Sequence, residues 1–259
     1  MFHYRVLKDG WIKVPETEFH RGLPGSRGGR LLIGLNQLLL EIGGRIVLVD
    51  AGLGDKRDPS EVGLQDFQRP RRMLSELESN GLSPRDVDIV ILTHLHFDHS
   101  GGGTRVTQEG IALTFTNALY YLQQAELDYA RNPAPERAGD YFADDFEPLV
   151  RSGQLILLDG DRELLPELSV HIAPGHSPGH QVVIARERSE TVFFPGDLIA
   201  TRQHIDLRVT MSYDIDPAMV MRQRSKWLAA ASRGGWSCVF CHALKDPVGR
   251  LDWRGDELP

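Results

Sequence analysis

The sequence has few cysteines, no long apolar run and no signal-like opening segment. Only two of its 259 residues are cysteines, Cys238 and Cys241, so a disulfide framework is excluded as the basis of the fold. The most apolar stretch, LLIGLNQLLLEIGG, is interrupted by polar residues and is shorter than the roughly 20 residues that span a bilayer. The opening residues lack the basic and then apolar order of a secretory signal. We therefore expect a reduced, cytoplasmic protein.

The charge balance offers no surface for nucleic acid. Lysine and arginine number 29 against 36 aspartates and glutamates, which gives a formal net charge of −7. Chains that bind nucleic acid typically carry an excess of positive charge. The composition, 41% hydrophobic and 25% charged, is that of an ordinary globular protein. The expected partner is a small molecule, with no nucleic acid and no membrane, and a homodimer is left open.

Short apolar runs alternate with helical patterns along the chain. Strands are predicted at 31–41, 45–50, 86–92, 111–115, 154–158, 168–173, 180–185, 191–195 and 236–240. Helices are predicted at 66–80, 119–130 and 217–232, and 131–150 reads as an irregular excursion. Strands interspersed with helices indicate an α/β layered fold. No Gly- or Ser-rich linker divides the chain, so one domain over 1–259 is expected.

A cluster of histidines follows the buried strand that ends at residue 92. The stretch THLHFDHSGG, residues 93–102, contains His94, His96, Asp98 and His99. Residues two apart in an extended segment point to the same side, so His94 and His96 can face one ion. A solvated, histidine-rich loop is the alternative. The spacing and the position after a strand favour a site for two metals, about 3.5–4 Å apart as in two-metal hydrolases.

Three more candidate ligands follow later predicted strands. His176 lies in APGHSPGH, Asp197 in VFFPGD and His242 in CVFCH. Ligands of layered α/β folds bind at the carboxyl ends of strands, where these side chains are expected to meet. Five histidines and two aspartates form a mixed nitrogen and oxygen donor set that suits zinc, manganese or iron.

The ordered motifs VDAGLG, THLHFDHSGG, PGHSPGH and PGD, followed by a histidine after a strand, resemble the metallo-β-lactamase superfamily. The resemblance implies a four-layer αβ/βα sandwich with two divalent metals, zinc by preference, in a cleft between its sheets. Asp50 resembles the family's aspartate that orients a metal-bound histidine. The implied ligands form two groups with one bridging residue: His94, His96 and His176; Asp98, His99 and His242; and Asp197 as the bridge.

The resemblance also implies a metal-dependent hydrolase. Two cations that share a water lower its pKa and supply hydroxide at neutral pH. Asp98 would then be both a ligand and the catalytic acceptor of the nucleophile's proton. The motif GHSPGHQ, together with YDIDP, is similar to the branch of N-acyl-homoserine lactonases and methyl-parathion-type phosphotriesterases. A small ester, lactone or phosphoester is therefore the expected substrate.

Other functions stay open at the level of the sequence. The lactonases commonly carry a tyrosine three residues after the bridging aspartate, where this chain has Ala200. Tyr213 and His204 are the candidates to face the substrate in its place. The alternative functions are a glyoxalase II-like thioesterase, a mononuclear-iron sulfur dioxygenase and a non-catalytic metal-binding regulatory protein. The two cysteines are interpreted as structural.

Overall fold

The strands in the described part of the chain lie in two six-stranded sheets and one two-stranded ribbon. The computed structural model describes residues 2–26, 28–57, 72–188 and 190–253. In chain order the strands of these ranges are β1 (His3–Pro15), β2 (Arg30–Ile42), β3 (Arg45–Val49), β4 (Ile89–Ile91), β5 (Thr104–Thr107), β6 (Gly110–Leu113), β7 (Leu119–Gln123), β8 (Leu155–Leu158), β9 (Arg162–Leu165), β10 (Leu168–Ile172), β11 (Gln181–Glu187), β12 (Glu190–Phe194), β13 (Ser237–Val239) and β14 (Val248–Arg250).

The two sheets combine parallel and antiparallel pairs. The first has the order β1-β2-β3-β4-β7-β8, and the second has the order β14-β13-β12-β11-β10-β9. The pairs from β3 through β4 and β7 to β8 are parallel, as is β12 with β13. The other neighbours within the sheets are antiparallel. Parallel neighbours bring the carboxyl ends of several strands to one edge, where the candidate ligands follow.

Six α-helices lie in the described ranges. They are α1 (Glu16–Phe19), α2 (Arg72–Ser79), α3 (Phe97–Ser100), α4 (Gln124–Arg131), α5 (Ala143–Ser152) and α6 (Pro217–Gly234). The predicted start of the last one is confirmed: the Asp216 side chain accepts the Met219 N–H at 2.9 Å, and Pro217 occupies the first turn. No helix in this part of the chain is long and apolar enough to cross a membrane.

The alternation of side chains along β2 shows how the layers form. Leu38 and Leu40 enter the core between the two sheets, whereas Leu39 faces outward to the core under α2, α4 and α5. On the far side, Trp227 and Leu228 of α6 pack against the outer face of the second sheet. The layers are therefore helices, sheet, sheet and helix. The predicted four-layer sandwich is confirmed.

The helix predicted at 119–130 is wrong over its first half. Residues 119–123 form β7, which pairs in parallel with β4 and β8, and only 124–131 are helical. Tyr120 and Leu122 face the core under α2, α4 and α5, whereas Tyr121 packs against the core between the two sheets. The apolar residues of this segment fit both the helical and the strand period. Residues 119–123 form a strand because neighbouring strands pair with them on both sides.

Two other predictions need correction or restriction. The segment 131–150 is less irregular than expected, since it contains a 3-10 helix at Pro135–Asp140 and most of α5. Phe146 and Leu149 of α5 pack on the outer face of the first sheet. The helix was not predicted because Pro148 interrupts the helical sequence pattern. Of the helix predicted at 66–80, residues 72–79 are helical, and 66–71 lie outside the described residues.

Candidate metal centre

The seven predicted ligand residues converge at one edge of the two sheets. His94 and His96 follow β4, and Asp98 and His99 lie in the single turn of α3. Ligand atoms within each group lie no more than 4.8 Å from one another. The two groups are His94, His96, His176 and Asp197, and then Asp98, His99 and His242.

Asp197 stands between the two groups with one oxygen toward each. Its Oδ2 is 3.3 Å from His176 Nε2 and 4.0 Å from His94 Nε2. Its Oδ1 is 3.3 Å from His99 Nε2 and 3.0 Å from His242 Nε2. Asp98 Oδ2 reaches His99 and His242 at 3.8 and 3.6 Å. One carboxylate thus borders both clusters, which is the position of a bridging ligand.

The packing of ring nitrogens fits a bound cation. Nε2 of His176 lies 3.1 Å from His96 Nδ1, and Nε2 of His99 lies 3.2 Å from His242 Nε2. The buried Nε2 of His94 has no hydrogen-bond partner. Buried polar atoms in proteins are normally paired, and a cation between these converging nitrogens would provide the missing partner. A metal ion satisfies all of them.

Oxygen acceptors behind the rings orient the histidines. Nδ1 of His99 donates to Asp50 Oδ2 at 2.7 Å, and Nδ1 of His176 donates to Asp214 Oδ1 at 2.9 Å. Nδ1 of His242 donates to the carbonyl of Gly34 at 2.9 Å. With the proton on Nδ1, the Nε2 lone pair of each ring points into the centre, which is the tautomer that a metal ligand needs.

Asp50 supports two histidines from the loop after β3. Besides His99 Nδ1, its carboxylate accepts the Thr93 N–H at 2.8 Å and the Thr93 hydroxyl at 3.0 Å. The Thr93 oxygen in turn lies 3.0 Å from His94 Nδ1 and can accept its proton. Asp50 itself has a φ of 60°, a left-handed conformation that aspartate tolerates better than most residues. The structure thus places Asp50 where the sequence predicted an orienting aspartate.

Burial and neighbouring charges shift the pKa values of the centre in opposite directions. Burial and the neighbouring His99 hold the pKa of His94 well below its usual value, and burial with His176 does the same to His96. Burial disfavours the charge of Asp197, but the charges of His242, His99 and His176 outweigh it and hold the pKa of that carboxyl well below its usual range. Neutral His94 and His96 and an ionised Asp197 are in the forms that bind metals. The charge of Asp197 outweighs burial and raises the pKa of His99, His176 and His242, so these three rings must release a proton when metal binds.

Glu126 connects the two loops that carry the first group. Its Oε1 accepts the Leu95 N–H at 2.9 Å, and its Oε2 accepts the Ser177 hydroxyl at 2.5 Å and the Gly179 N–H at 3.1 Å. Burial raises the pKa of Glu126, although these three hydrogen bonds oppose the shift. Gly179 is required here, because a Cβ at that position would lie 2.2 Å from the Glu126 backbone nitrogen.

A cavity of about 390 Å³ opens onto the donor groups. Apolar lining residues come from β1, α1, β2 and the start of α3: Ile12, Val14, Phe19, Ile33 and Phe97. Polar or charged lining residues outside the donor groups include Lys13, Glu18, Arg30, Asp140 and Tyr213. The Tyr213 hydroxyl donates to Glu18 Oε2 at 3.3 Å. A small amphipathic molecule fits a cavity of this size and lining.

A model of the metallo-beta-lactamase superfamily matches residues 34–242, which include the seven converging side chains. The chain belongs to the metallo-β-lactamase superfamily. The fold and the resemblance predicted from the motifs are both confirmed.

Relatives and solved structures agree with this family. An N-acyl homoserine lactonase of Bacillus cereus is 29% identical over 157 residues, which cover 60% of this chain and 56% of that protein. The lactonase AttM of Azorhizobium caulinodans is 27% identical over 174 residues, 65% of this chain and 63% of that protein. The match therefore spans little more than half of these relatives.

Two solved structures share the superfamily fold over nearly the whole chain. A probable metal-dependent hydrolase from Staphylococcus aureus has a TM-score of 0.84 at 20% identity, covering 99% of this chain and 98% of its own. AidC, a dizinc quorum-quenching lactonase solved with a product, has a TM-score of 0.79 at 22% identity, covering 96% and 90%. At these identities the likeness concerns the fold.

His204 was predicted to face the substrate, but it does not line the cavity. It is buried behind Phe19, where its Nε2 donates to the Phe19 carbonyl at 3.1 Å and its Nδ1 accepts the Thr201 hydroxyl at 2.9 Å. The same hydroxyl oxygen lies 3.1 Å from His20 Nε2. His204 therefore supports Phe19 from behind and does not line the cavity, whereas Tyr213 does.

Sequence reasoning identified Asp50 but missed other residues that stand behind the ligands. Asp214 lies within YDIDP, which entered the sequence analysis only through its similarity to the lactonase branch, and its position beside a buried histidine carries no local signal. Glu126 looks like any acidic residue in the first turn of a helix. Cys241, interpreted as structural, has its Sγ 3.2 Å from Asp197 Oδ1. Its position directly before His242 was the available signal.

Proposed function

We propose that the chain is a dinuclear-metal hydrolase, with zinc as the preferred metal, that cleaves a small ester, lactone or phosphoester. The observation that carries this proposal is the position of Asp197 between two complete donor groups, one oxygen toward each. His94, His96 and His176 would hold one ion, and Asp98, His99 and His242 the other. Bound there, the two ions would supply Lewis acidity and a water of lowered pKa.

The chain's own residues divide the remaining work. Asp98 lines the cavity at the edge of the second group and would take up the proton of the attacking nucleophile and return it to the leaving oxygen. Tyr213 lines the same cavity and carries a hydroxyl that would donate to the substrate. In the structure this hydroxyl gives its single proton to Glu18, so it would exchange that hydrogen bond for one to the substrate. Asp50 and Asp214 would hold His99 and His176 in the tautomers that bind metal.

The cavity supports a small substrate over a polymer. Its apolar lining residues offer a surface for an acyl or aryl group, and charged residues complete the lining. The matched relatives named as N-acyl homoserine lactonases make lactones the first substrates to test. Ala200, where those lactonases commonly carry tyrosine, leaves Tyr213 as the candidate donor.

Elemental analysis of the purified protein, before any chelator or added metal, tests the proposal. We expect about two equivalents of zinc, manganese or iron per chain, and hydrolysis of at least one lactone, ester or phosphotriester that stops on removal of the metal. One equivalent of iron with oxidation of a thiol substrate would replace the proposal by the sulfur dioxygenase function. A chain that neither contains nor rebinds metal would overturn it.

The choice of substrate distinguishes the thioesterase alternative from the proposed function. A glyoxalase II-like enzyme would hydrolyse a glutathione thioester faster than oxygen esters of the same acyl group. We expect the opposite order, because the cavity wall combines acidic and basic groups and has no dedicated basic surface for glutathione among its lining residues. Paired assays with matched acyl groups decide between the two.

A further inference from the structure

Cys241 lies against the carboxylate that the two donor groups share. Its Sγ is 3.2 Å from Asp197 Oδ1, the same oxygen that faces His99 and His242. Donor atoms of Cys241, Asp197 and His242 all lie within 4.8 Å of one another, and the cysteine is buried. A sulfur in this place either donates its S–H to the carboxylate or binds a metal itself.

The hydrogen bonds around Asp197 favour the donor role. The rings of His99, His176 and His242 keep their protons on Nδ1, bound to Asp50, Asp214 and the Gly34 carbonyl. With ions in the centre their Nε2 atoms serve as ligands and have no proton to give to Asp197. Among the described side chains, Cys241 is then the one placed to donate a hydrogen bond to that carboxylate.

The number of donors in the second group argues against sulfur as a ligand. Asp98, His99 and His242 together with Asp197 already provide four, which is the number that a zinc site commonly takes. Cys238 provides a comparison in the same segment, since it packs against α6 on the outer face of the second sheet, away from the centre.

We propose that Cys241 is a positioning residue for the second metal: its thiol donates to Asp197 Oδ1 and holds that oxygen toward His99 and His242. This inference rests on the proposed function, because it assigns to Asp197 the role of a bridging ligand. The inference concerns how tightly the protein binds the second ion relative to the first. A carboxylate without this donor is free to turn away from the second group, whereas the three histidines of the first group stay in place.

The test measures stepwise zinc affinity by competition with a chelator for the wild type, Cys241→Ala, Cys241→Ser and the control Cys238→Ala. We expect two equivalents in the wild type and a second affinity about tenfold weaker in Cys241→Ala, on the scale of other residues that support ligands. The first affinity should not change. Cys241→Ser should recover part of the loss, since a hydroxyl also donates, and Cys238→Ala should match the wild type.

The spectrum of the cobalt-loaded protein separates the two roles of the sulfur. We expect no intense sulfur-to-cobalt charge-transfer band in the near ultraviolet. A band that disappears in Cys241→Ser would make the thiolate a ligand and overturn the positioning role. Unchanged affinities in a Cys241→Ala protein that binds two ions would overturn this inference alone. A wild type that binds none would overturn the proposed function with it.

Discussion

Glu126 and Ser177 are 51 residues apart in the chain, yet Oε2 of the glutamate lies 2.5 Å from the serine hydroxyl. The other oxygen of Glu126 holds the Leu95 N–H, between His94 and His96. A single buried carboxylate therefore fixes the loop of the first two histidines to the loop of His176. The three histidines of the first group come from two loops, and their mutual position depends on this connection.

The first prediction concerns Glu126→Gln. The amide keeps the size of the side chain but turns two hydrogens toward groups that already donate, so at least one buried donor loses its acceptor. We expect a loss of about 1–3 kcal/mol in the free energy of unfolding, measured with urea on metal-free protein, and weaker binding of the first metal. Glu147→Gln removes an exposed pair with Arg131 and should destabilise the fold much less, because solvent screens that pair. Equal effects of the two variants would contradict the role of Glu126.

The second prediction concerns Asp50→Asn. Asparagine tolerates the left-handed backbone of residue 50, so the change acts on hydrogen bonding. An amide cannot accept from Thr93 N–H, the Thr93 hydroxyl and His99 Nδ1–H together, and it favours the His99 tautomer that has no lone pair on Nε2. We expect the second metal to bind roughly 10–100-fold more weakly in a chelator competition. Asp88→Asn, which changes an aspartate bonded to the Ile46 N–H far from the centre, should leave both affinities unchanged.

Glu126 and Asp50 show what the sequence could predict. The seven donors and Asp50 follow strands within recognisable motifs, so their convergence could be expected from the strand ends and from the resemblance to the superfamily. Glu126 and Asp214 could not be found this way, because each meets its histidine loop through contacts that depend on how α4 and the 197–214 segment pack. The mistaken helix at 119–130 has the same cause. Its first half became β7 because β4 and β8 pair with it on both sides.

The third prediction concerns the hydroxyl of Tyr213. Tyr213→Phe keeps the ring in the cavity wall and removes the donor that the proposed function assigns to the substrate. We expect a roughly hundredfold lower kcat, the low end for a positioned proton donor, with unchanged metal content and a smaller change in KM. Tyr4→Phe, on β1 and outside the cavity lining, is the control. A variant with normal kcat and a raised KM would make Tyr213 a binding residue only.

The fourth prediction is a pH dependence of stability that arises at Asp9. Its carboxylate accepts the Leu53 N–H at 2.9 Å and the Met73 N–H at 3.2 Å. Burial nevertheless raises its pKa to about 8, against an ordinary value of about 4 in the unfolded chain. Between these values the folded protein binds more protons than the unfolded one, so the contribution of Asp9 to the free energy of unfolding falls as pH rises from about 4 to 8.

Asp9→Asn removes this titration and keeps the shape of the side chain. Urea unfolding near pH 5 and near pH 8.5 should show a larger loss of stability in the wild type than in the variant. Other groups titrate equally in both proteins, so the difference between the two losses isolates Asp9. Identical losses would mean that the buried carboxylate stays ionised throughout.

The fifth prediction uses the tight contact between the loop after β3 and the glycines after His99. Gly102 N–H donates to the Gly52 carbonyl at 2.8 Å, and a Cβ on Gly102 would lie 2.0 Å from the Ala51 carbonyl oxygen. Gly102→Ala must push these two backbones apart. We expect a loss of about 1–3 kcal/mol in the free energy of unfolding and a weaker second metal, since Asp98 and His99 lie in the turn before it. Gly139→Ala, where a Cβ meets nothing within 4 Å, should unfold like the wild type. If Gly102→Ala lost stability without any change in metal affinity, the contact would support the fold but not the position of Asp98 and His99.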